Sequence, residues 1–377
     1  MRIAYIINTK DDSGVGHRAV NIAGRLKAQS GVELDVFDMD GKEMTVKKNG
    51  GQVAVFTRWP GVLGKKTVGW VRLGQTIKNE IKKESYDIIH LTNQTLSFLV
   101  DGSIPSVVTV HDVIELLDPQ TKSAYLINKY LYNGIKRASH IIAVSEYTAQ
   151  TLKDFYELPA ERITVVLNGV GGEFHLIDNF MQTVAAHSLK QELKLQDEAK
   201  VILYIGSDHP RKNVVGAIRT FSKIQEQIPE LVFVKVGEPG IAAGREQLLK
   251  EIDDLKLRVA VRFVGNVSDE RLNELYNLAD VLIYPSRFEG FGLPPLQAFA
   301  AGTPVVCSNA TSLPEVVGDA ALKHNPDDID GMAVSTQKIL EDSNFASSLQ
   351  LKGLERAKQF SWDVAADKVK SVYRELI

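Results

Sequence analysis

The sequence predicts an α/β protein built from two doubly wound domains. Short β-rich runs alternate with helical patterns along the chain, as a mostly parallel sheet with crossover helices requires. The alternation lapses once, near Gly171–Asn179, and restarts after a polar helical stretch of about Phe180 to Leu195. A length of 377 residues suits two domains of ordinary size.

In the first half, Ile3–Ile7, Glu33–Phe37, Val53–Phe56, Ile88–Leu91, Val107–Val110, Ile141–Val144 and Thr164–Leu167 read as strands. Between them lie helical patterns such as His17–Gln29, Thr67–Glu84 and Thr121–Ala138. In the second half the strands are Val201–Ile205, Val232–Val236, Val261–Val264, Val281–Tyr284, Thr303–Cys307 and Ala320–Lys323. A last helix, Trp362 to Ile377, carries Val364, Val369, Val372, Tyr373 and Leu376 as its apolar residues. The expected division is 1–175, 176–360 and a terminal helix 361–377.

Composition narrows the function. Hydrophobic content of 44% and charged content of 24% are those of a globular chain, and a net charge of -3 gives nucleic-acid binding no support. The single cysteine, Cys307, excludes an internal disulfide framework and reads as a core thiol. The first strand ends at Lys10-Asp11-Asp12, too soon for a signal peptide, and no run approaches the ~20 apolar residues of a membrane helix. The expected location is the cytoplasm, with any membrane contact peripheral at the inner face.

Ser286-Arg287-Phe288-Glu289-Gly290-Phe291-Gly292-Leu293-Pro294-Pro295 is the most informative stretch. It joins the end of a buried strand to the start of a helix, where open α/β sheets bind ligands and helix amides attract phosphate. Gly290 and Gly292 let the backbone approach a ligand, and Glu289 can grip hydroxyls beside an anion held by the loop. Gly206-Ser207-Asp208-His209-Pro210-Arg211-Lys212-Asn213 follows the first strand of the second half. Arg211 can fork onto two phosphate oxygens and Lys212 adds a mobile charge. Read alone, the pair also fits a solvated turn. His111 ends a strand in Val108-Thr109-Val110-His111-Asp112, where it could bond a sugar hydroxyl, shuttle a proton or be structural. Ser13-Gly14-Val15-Gly16-His17-Arg18-Ala19 opens the first helix; Gly14, Gly16 and Ala19 loosely fit a dinucleotide fingerprint. Asp38-Met39-Asp40 is formally a DxD motif, but two acids at a turn are common, and no His/Cys spacing suggests zinc.

Together these phrases resemble retaining glycosyltransferases of family 4, of GT-B fold. Ala143-Val144-Ser145-Glu146, Leu167-Asn168-Gly169-Val170, Gly265-Asn266-Val267, Ala279-Asp280 and Pro314-Glu315-Val316-Val317-Gly318 add looser matches in the same order. The resemblance implies two Rossmann-like domains facing across a cleft, with the last helix crossing back to the first domain. It implies a nucleotide-diphospho-sugar donor held by Gly206, the Arg211-Lys212 loop and the Gly290-Phe291-Gly292-Leu293 amides, and no metal or other cofactor. Glu289 would face the donor sugar, His111 would line the sugar pocket, and Gly14 and Gly16 would form a glycine loop. The family has a second carboxylate eight positions after the first; here that position holds Gln297. Retention would follow a same-face displacement in which the leaving phosphate helps take the acceptor's proton. The acceptor would be a glycan, a lipid-linked sugar or a small molecule.

Two other classes stay open on sequence. Gly14-x-Gly16-x-x-Ala19 would suit an NAD-dependent oxidoreductase, and Gln297 a non-catalytic nucleotide- or sugar-binding protein. From Lys42 to Lys83 ten lysines and arginines (42, 47, 48, 58, 65, 66, 72, 78, 82, 83) stand against Glu43 and Glu80, an excess of eight. Trp59, Val62, Leu63, Trp70 and Leu73 are interleaved. Such a segment suits an anionic membrane surface or a phosphorylated acceptor, and equally a solvated helix face with core tryptophans.

Overall fold

The computed structural model describes residues 1–8, 13–40, 45–55, 65–119 and 121–377, with no side-chain description at Asp40, 54–55 and 65–71. Two compact units emerge, Met1–Gly169 with Ser361–Ile377, and Val170–Phe360.

The first unit holds an eight-stranded sheet. Its strands are β1 (Arg2–Ile7), β2 (Glu33–Asp40), β3 (Thr45–Lys48), β4 (Gly51–Val55), β5 (Ile88–Leu91), β6 (Ser106–Val110), β7 (His140–Ala143) and β8 (Ile163–Val165). They lie in the order β4-β3-β2-β1-β5-β6-β7-β8. All pairings are parallel except those of β3, which runs antiparallel to β2 and β4. The helices are α1 (Gly14–Ala28), α2 (Lys65–Ile81), α3 (Ile114–Leu117), α4 (Lys122–Leu131) and α5 (Glu146–Tyr156). Ile6, Leu91, Val108 and Ile141 from the sheet bury a core with Leu73 and Ile77 of α2 and Leu152 of α5. Each such side chain contributes ~1.5–3 kcal/mol on burial.

Two expectations change here. β3 is an additional strand, turned by Asn49 and Gly50, both with positive φ (49° and 84°). The Asn49 side chain locks this turn by accepting from the Val36 N–H at 2.9 Å and donating to Asp35 at 2.7 Å. The helix expected over Thr121–Ala138 ends at Leu131; the chain then turns to bury Tyr132 and Ile135 before a short 3₁₀ turn at Ile135–Arg137.

The second unit carries β9 (Val201–Ile205), β10 (Val232–Val236), β11 (Val261–Val264), β12 (Val281–Tyr284), β13 (Val305–Ser308) and β14 (Leu322–His324). All are parallel, in the order β11-β10-β9-β12-β13-β14. The strand order therefore reverses between β9 and β12. Its helices are α6 (Val184–Glu192), α7 (Val214–Gln225), α8 (Ala242–Asp254), α9 (Asp269–Leu278), α10 (Leu293–Ala300), α11 (Leu313–Val317), α12 (Ile329–Glu341) and α13 (Ser343–Ala357). Side-chain caps from Thr183, Ser268, Asp328 and Asp342 start four of them by accepting orphan helix amides. Cys307 is fully buried in β13, and burial pushes its thiol up to about 12.

The last helix, α14 (Trp362–Leu376), belongs to the first unit. Ala365, Ala366, Val369, Val372 and Tyr373 are buried along it, and it packs on α1. Polar bonds edge this seam, Arg25 to Asp363 at 2.7 Å and Gln29 to Asp367 at 2.7 Å. The chain leaves the first unit at Gly169, before the expected residue 175. The reason is local: Gly169 lies against the Ser361–Trp362 backbone, while the Val170 N–H donates to Phe360 O at 3.3 Å within the second unit. A Cβ on Gly169 would fall 2.3 Å from the Trp362 nitrogen, where neither backbone can yield. Gly169→Ala is expected to cost ~1–3 kcal/mol, lowering the melting temperature of a unit this size by about 2–12 °C. Thermal denaturation followed by tryptophan fluorescence checks this; an unchanged Tm would mean the crossing is looser than described.

Candidate active site

The loops after β9 and β12 flank the point where the strand order reverses, the place where open α/β sheets leave a crevice at their carboxyl ends. Arg211 and Lys212 lie in a 3₁₀ turn, Pro210–Lys212, closed by Asn213 in the left-handed region. Glu289 lies on the β12 loop and is buried, at 7% exposure. Its Oε1 accepts from Lys212 Nζ at 2.6 Å and from the Tyr284 hydroxyl at 2.6 Å. Lys212 Nζ also donates to the Tyr284 hydroxyl, at 3.2 Å. Among the described residues, Glu289 Oε2 makes no hydrogen bond. Burial alone would raise the Glu289 carboxyl, but the charges of Lys212 and Arg211, with the two bonds to Oε1, hold it below its ordinary value.

The loops are fastened by their backbones as well. Arg211 O accepts from the Arg287 N–H at 2.7 Å and from Ser286 Oγ at 3.1 Å. Asn213 donates to Pro285 O at 3.1 Å and to Pro326 O at 2.8 Å. Thr311 Oγ1 accepts from the Glu289 N–H at 3.0 Å, and Ser312 Oγ donates to the carbonyls of Glu289 (2.9 Å) and Phe291 (2.8 Å). Below Gly206, the fully buried Asp208 carboxylate pairs with Lys235 at 2.9 Å and Arg245 at 2.7 Å. That trio ties the β9 loop to β10 and α8. The only bond from the Arg211 guanidinium among the described residues is a long one, 3.4 Å, to Phe288 O. A cation on a fastened loop with its donors uncommitted is suited to a polyanion.

Most of the sequence-derived second-unit residues meet here. Gly290, Phe291, Gly292 and Leu293 run from Glu289 into α10, and Gly206 starts the loop that ends in Arg211 and Lys212. Gly292 has φ 110°, and a Cβ there would sit 2.6 Å from Leu313 Cδ2, so the loop requires glycine. Phe291 is buried edge-on against Phe360 and shapes the loop from inside. Gln297 is turned to a neighbour: its Oε1 accepts from the Tyr276 hydroxyl at 3.1 Å, which also reaches Pro294 O. Sequence reasoning missed Tyr284, Thr311 and Ser312. Tyr284 was legible as the one hydroxyl in a Val-Leu-Ile-Tyr strand, placed at its carboxyl end.

His111, Gly14 and Gly16 lie in the first unit. His111 Nε2 donates to Thr92 O at 3.0 Å, which fixes its tautomer, and its N–H donates to Gln94 Oε1 at 3.1 Å. Burial first, and then the charge of Arg18, push the imidazole down to about 3, so it is neutral and Nδ1 is the ring's acceptor. His90 is pushed down to about 3 by the same two causes. Arg18, itself buried on α1, donates to Asn168 Oδ1 at 2.5 Å. Gly14 is the first residue of α1, and the Gly16 N–H is taken by the Ser13 cap at 2.9 Å. Residues 9–12, which precede this loop, lie outside the described residues. In the DxD motif, Asp38 stands opposite Lys47 in the β2–β3 ladder.

The family described as Glycosyl transferases group 1 matches residues 186–356, and that described as Glycosyltransferase Family 4 matches residues 13–172. O-antigen chain mannosyltransferase B of Escherichia coli is 31% identical over 280 residues, covering 72% of this chain and 70% of that protein. The chain belongs to this glycosyltransferase family. The serotype-specific mannosyltransferase WbdA of Escherichia coli is 33% identical over 72% of the chain, and this chain spans 34% of that longer protein. Anabaena HepE, solved in complex with UDP and glucose, superposes with a TM-score of 0.77 at 21% identity, covering 100% of both chains. The fold is thus GT-B, with two parallel-sheet units. Family membership leaves the dehydrogenase reading of Gly14, Gly16 and Ala19 without support.

The pairing of Glu289 makes a pH-dependent prediction. A carboxylate held low in the native state adds stability that is present above its unfolded value and lost as the pH falls through its folded one. In Lys212→Met the main compensating charge is gone, burial pushes the carboxyl up, and the ionised form is penalised at neutral pH. The variant should lose ~3–5 kcal/mol at neutral pH, with the deficit shrinking as the pH falls towards about 4.3. Urea denaturation across that range measures it; a deficit that does not change with pH contradicts the pairing.

Proposed function

We propose that the chain transfers a hexosyl group from a nucleotide-diphospho-sugar to a glycan or lipid-linked acceptor, with retention and without a metal. The observation that carries this reading is the Arg211–Lys212–Glu289 constellation at the reversal of strand order. Bond breaking leaves negative charge on the diphosphate and positive charge on the sugar carbon. Arg211 and Lys212 stabilise the first, in a preorganised loop where such donors act strongly. Their charge stands where a divalent ion would otherwise serve. Glu289 Oε2 accepts a sugar hydroxyl and orients the ring, while Oε1 stays with Lys212 and Tyr284. His111, neutral, offers Nδ1 as an acceptor to a hydroxyl rather than serving as an acid. The mannosyltransferases among the relatives make mannose the first sugar to try.

The direct test incubates the protein with GDP-, UDP- and ADP-sugars and candidate acceptors, with and without a chelator, and reads the product's anomeric configuration by NMR. A retained anomer formed in chelator is expected. Nucleotide binding with no turnover on any pair would favour the non-catalytic reading.

Arg211→Ala should lower kcat by about 10²–10³-fold with an unchanged Tm, since its side chain makes one long bond in the fold. A near-normal rate would remove Arg211 from the diphosphate site. Glu289→Ala should abolish transfer yet keep nucleoside diphosphate affinity within roughly tenfold, ~1.4 kcal/mol by calorimetry; loss of nucleotide binding in a folded variant would reverse the roles.

Gln297→Glu keeps an acceptor for the Tyr276 hydroxyl and adds charge assistance. The variant should fold normally, with a donor KM unchanged or lower. Comparing ribo- and 2′-deoxyribo-donors reads the effect; loss of activity would exclude position 297 from ribose recognition.

A further inference from the structure

We propose that the second unit carries a separate binding site for a neutral sugar, in a cavity of about 400 Å³ at the end of its sheet remote from Glu289 and Arg211. Lys200, Asp280 and Thr303, which line the cavity, precede β9, β12 and β13, whereas Arg211 and Glu289 follow β9 and β12. These strands are parallel, so the cavity and the crevice lie at opposite ends of one sheet. The volume falls within the range of about 300–1,000 Å³ usual for small-molecule sites. Gly302 lies where the two walls of the cavity meet. It has φ 79°, and a Cβ there would fall 2.9 Å from Leu176 Cδ1 on one wall and 2.9 Å from Gln350 Nε2 on the other, so a larger residue would intrude between them.

The walls differ in chemistry. One is apolar, with Leu176 and Met181 left 40% and 48% exposed beside Ile177. The other comes from α13, where Ser343, Ser347 and Gln350, at i, i+4 and i+7, share one face and all line the cavity. Among the described residues the Ser343 and Ser347 hydroxyls make no hydrogen bond, and Gln350 uses only its amide nitrogen, donating to Gly302 O at 2.9 Å. Its Oε1 stays open. A purely apolar occupant would leave these groups unpaired, at a cost for each. A sugar matches both walls, with hydroxyls that donate and accept and C–H groups that suit apolar carbon.

Charge points to a neutral ligand. Among the residues lining the cavity only Lys200 and Asp280 are charged, and they pair with each other at 2.9 Å. The Asp280 carboxylate also accepts from the Val201 N–H at 2.7 Å. α13 starts with a carboxylate cap, Asp342 accepting from the Phe345 N–H at 3.0 Å, which disfavours an anion there. A free hexose and a hexose within a glycan share this chemistry; the second source rests on the glycan acceptor of the proposed function.

The basic Lys42–Lys83 segment offers no comparable site. Lys48 is committed to Glu84 (2.6 Å) and Asp35 (3.3 Å), Lys78 to Asp101 (3.4 Å) and Lys83 to Glu80 (2.6 Å). Three of those acids lie outside the segment and cancel part of its excess. Lys42, Arg58, Trp59, Val62 and Leu63 lie outside the described residues, as do the side chains of Lys65, Lys66 and Trp70.

The test follows the methyl signal of Met181 by NMR in the full chain, isotope-labelled at its methionine methyls, with the assignment taken from Met181→Leu. Mannose, glucose and an α-linked mannotriose are titrated, with inorganic phosphate and pentanol as controls. The Met181 signal should move saturably with at least one of the sugars and with neither control. Saturation by a free hexose identifies the small sugar as sufficient; saturation by the trisaccharide alone identifies a residue of a glycan chain. Ser347→Trp, which fills the cavity from an exposed position, should abolish the movement with Tm unchanged. Ser343→Ala/Ser347→Ala should weaken binding about fivefold or more. Arg211→Ala should bind as the wild type does, which separates this site from the proposed donor crevice. No saturable movement with any sugar, movement with phosphate or pentanol alone, or wild-type binding by either serine variant would overturn the proposal. So would a Met181 signal that moves with protein concentration in a sugar-free sample sedimenting as a dimer, since a second copy would then cover the cavity.

Discussion

A buried carboxylate must have a partner, and in this protein the partner of Glu289 comes from another loop. Lys212 follows β9 and Glu289 follows β12, 77 residues later, so their pairing fixes the ends of two strands against each other. Everything around the pair maintains it. The Tyr284 hydroxyl shares Oε1, Thr311 and Ser312 hold the Glu289 backbone, and the Arg211 carbonyl is occupied by Arg287 and Ser286. The outcome is a rigid crevice whose remaining polar groups, the Arg211 guanidinium and Glu289 Oε2, have different chemical preferences. One suits phosphate and the other a hydroxyl. Lys212 neutralises Glu289 in the resting fold, and in the proposed reaction it would also meet the donor's anion, two duties that the three donors of a lysine can fill.

The second sheet was legible in the sequence almost strand by strand. Strands buried on both faces read as apolar runs; Val201–Ile205 and Val281–Tyr284 are unbroken ones, and Val232–Val236 is broken only by Lys235, whose charge is taken by Asp208. The edge of the first sheet was less so. Thr45–Lys48 is short, mostly polar and second from the edge, and only Asn49-Gly50, a strong hairpin signal, announces it. The site was legible as a location and less so as a network. Glu289, Arg211 and Lys212 were readable because loops at strand ends bind ligands, whereas the hydrogen bonds that order them span long sequence separations. Gln297 shows the same limit: its identity was visible, its bond to Tyr276 was not.

The first unit follows a complementary electrostatic logic. Arg18 is a buried cation whose closest bond is to the neutral amide of Asn168, and with burial it keeps both His90 and His111 uncharged. Proton chemistry at His111 is thereby suppressed, while its directional acceptor is preserved by the Thr92 carbonyl. Binding without protonation is what the proposed contact with a sugar hydroxyl would ask of this imidazole.

The division of the chain has a temporal side. Val170–Phe360 is one uninterrupted stretch inserted into a unit whose own covering helix, α14, comes after it. During synthesis the inserted unit is complete first, while α1 waits for α14, the helix that packs on it. Of the two units, the one begun first is thus the last to close, and its exposed interval lasts as long as the ribosome takes to translate the whole insertion.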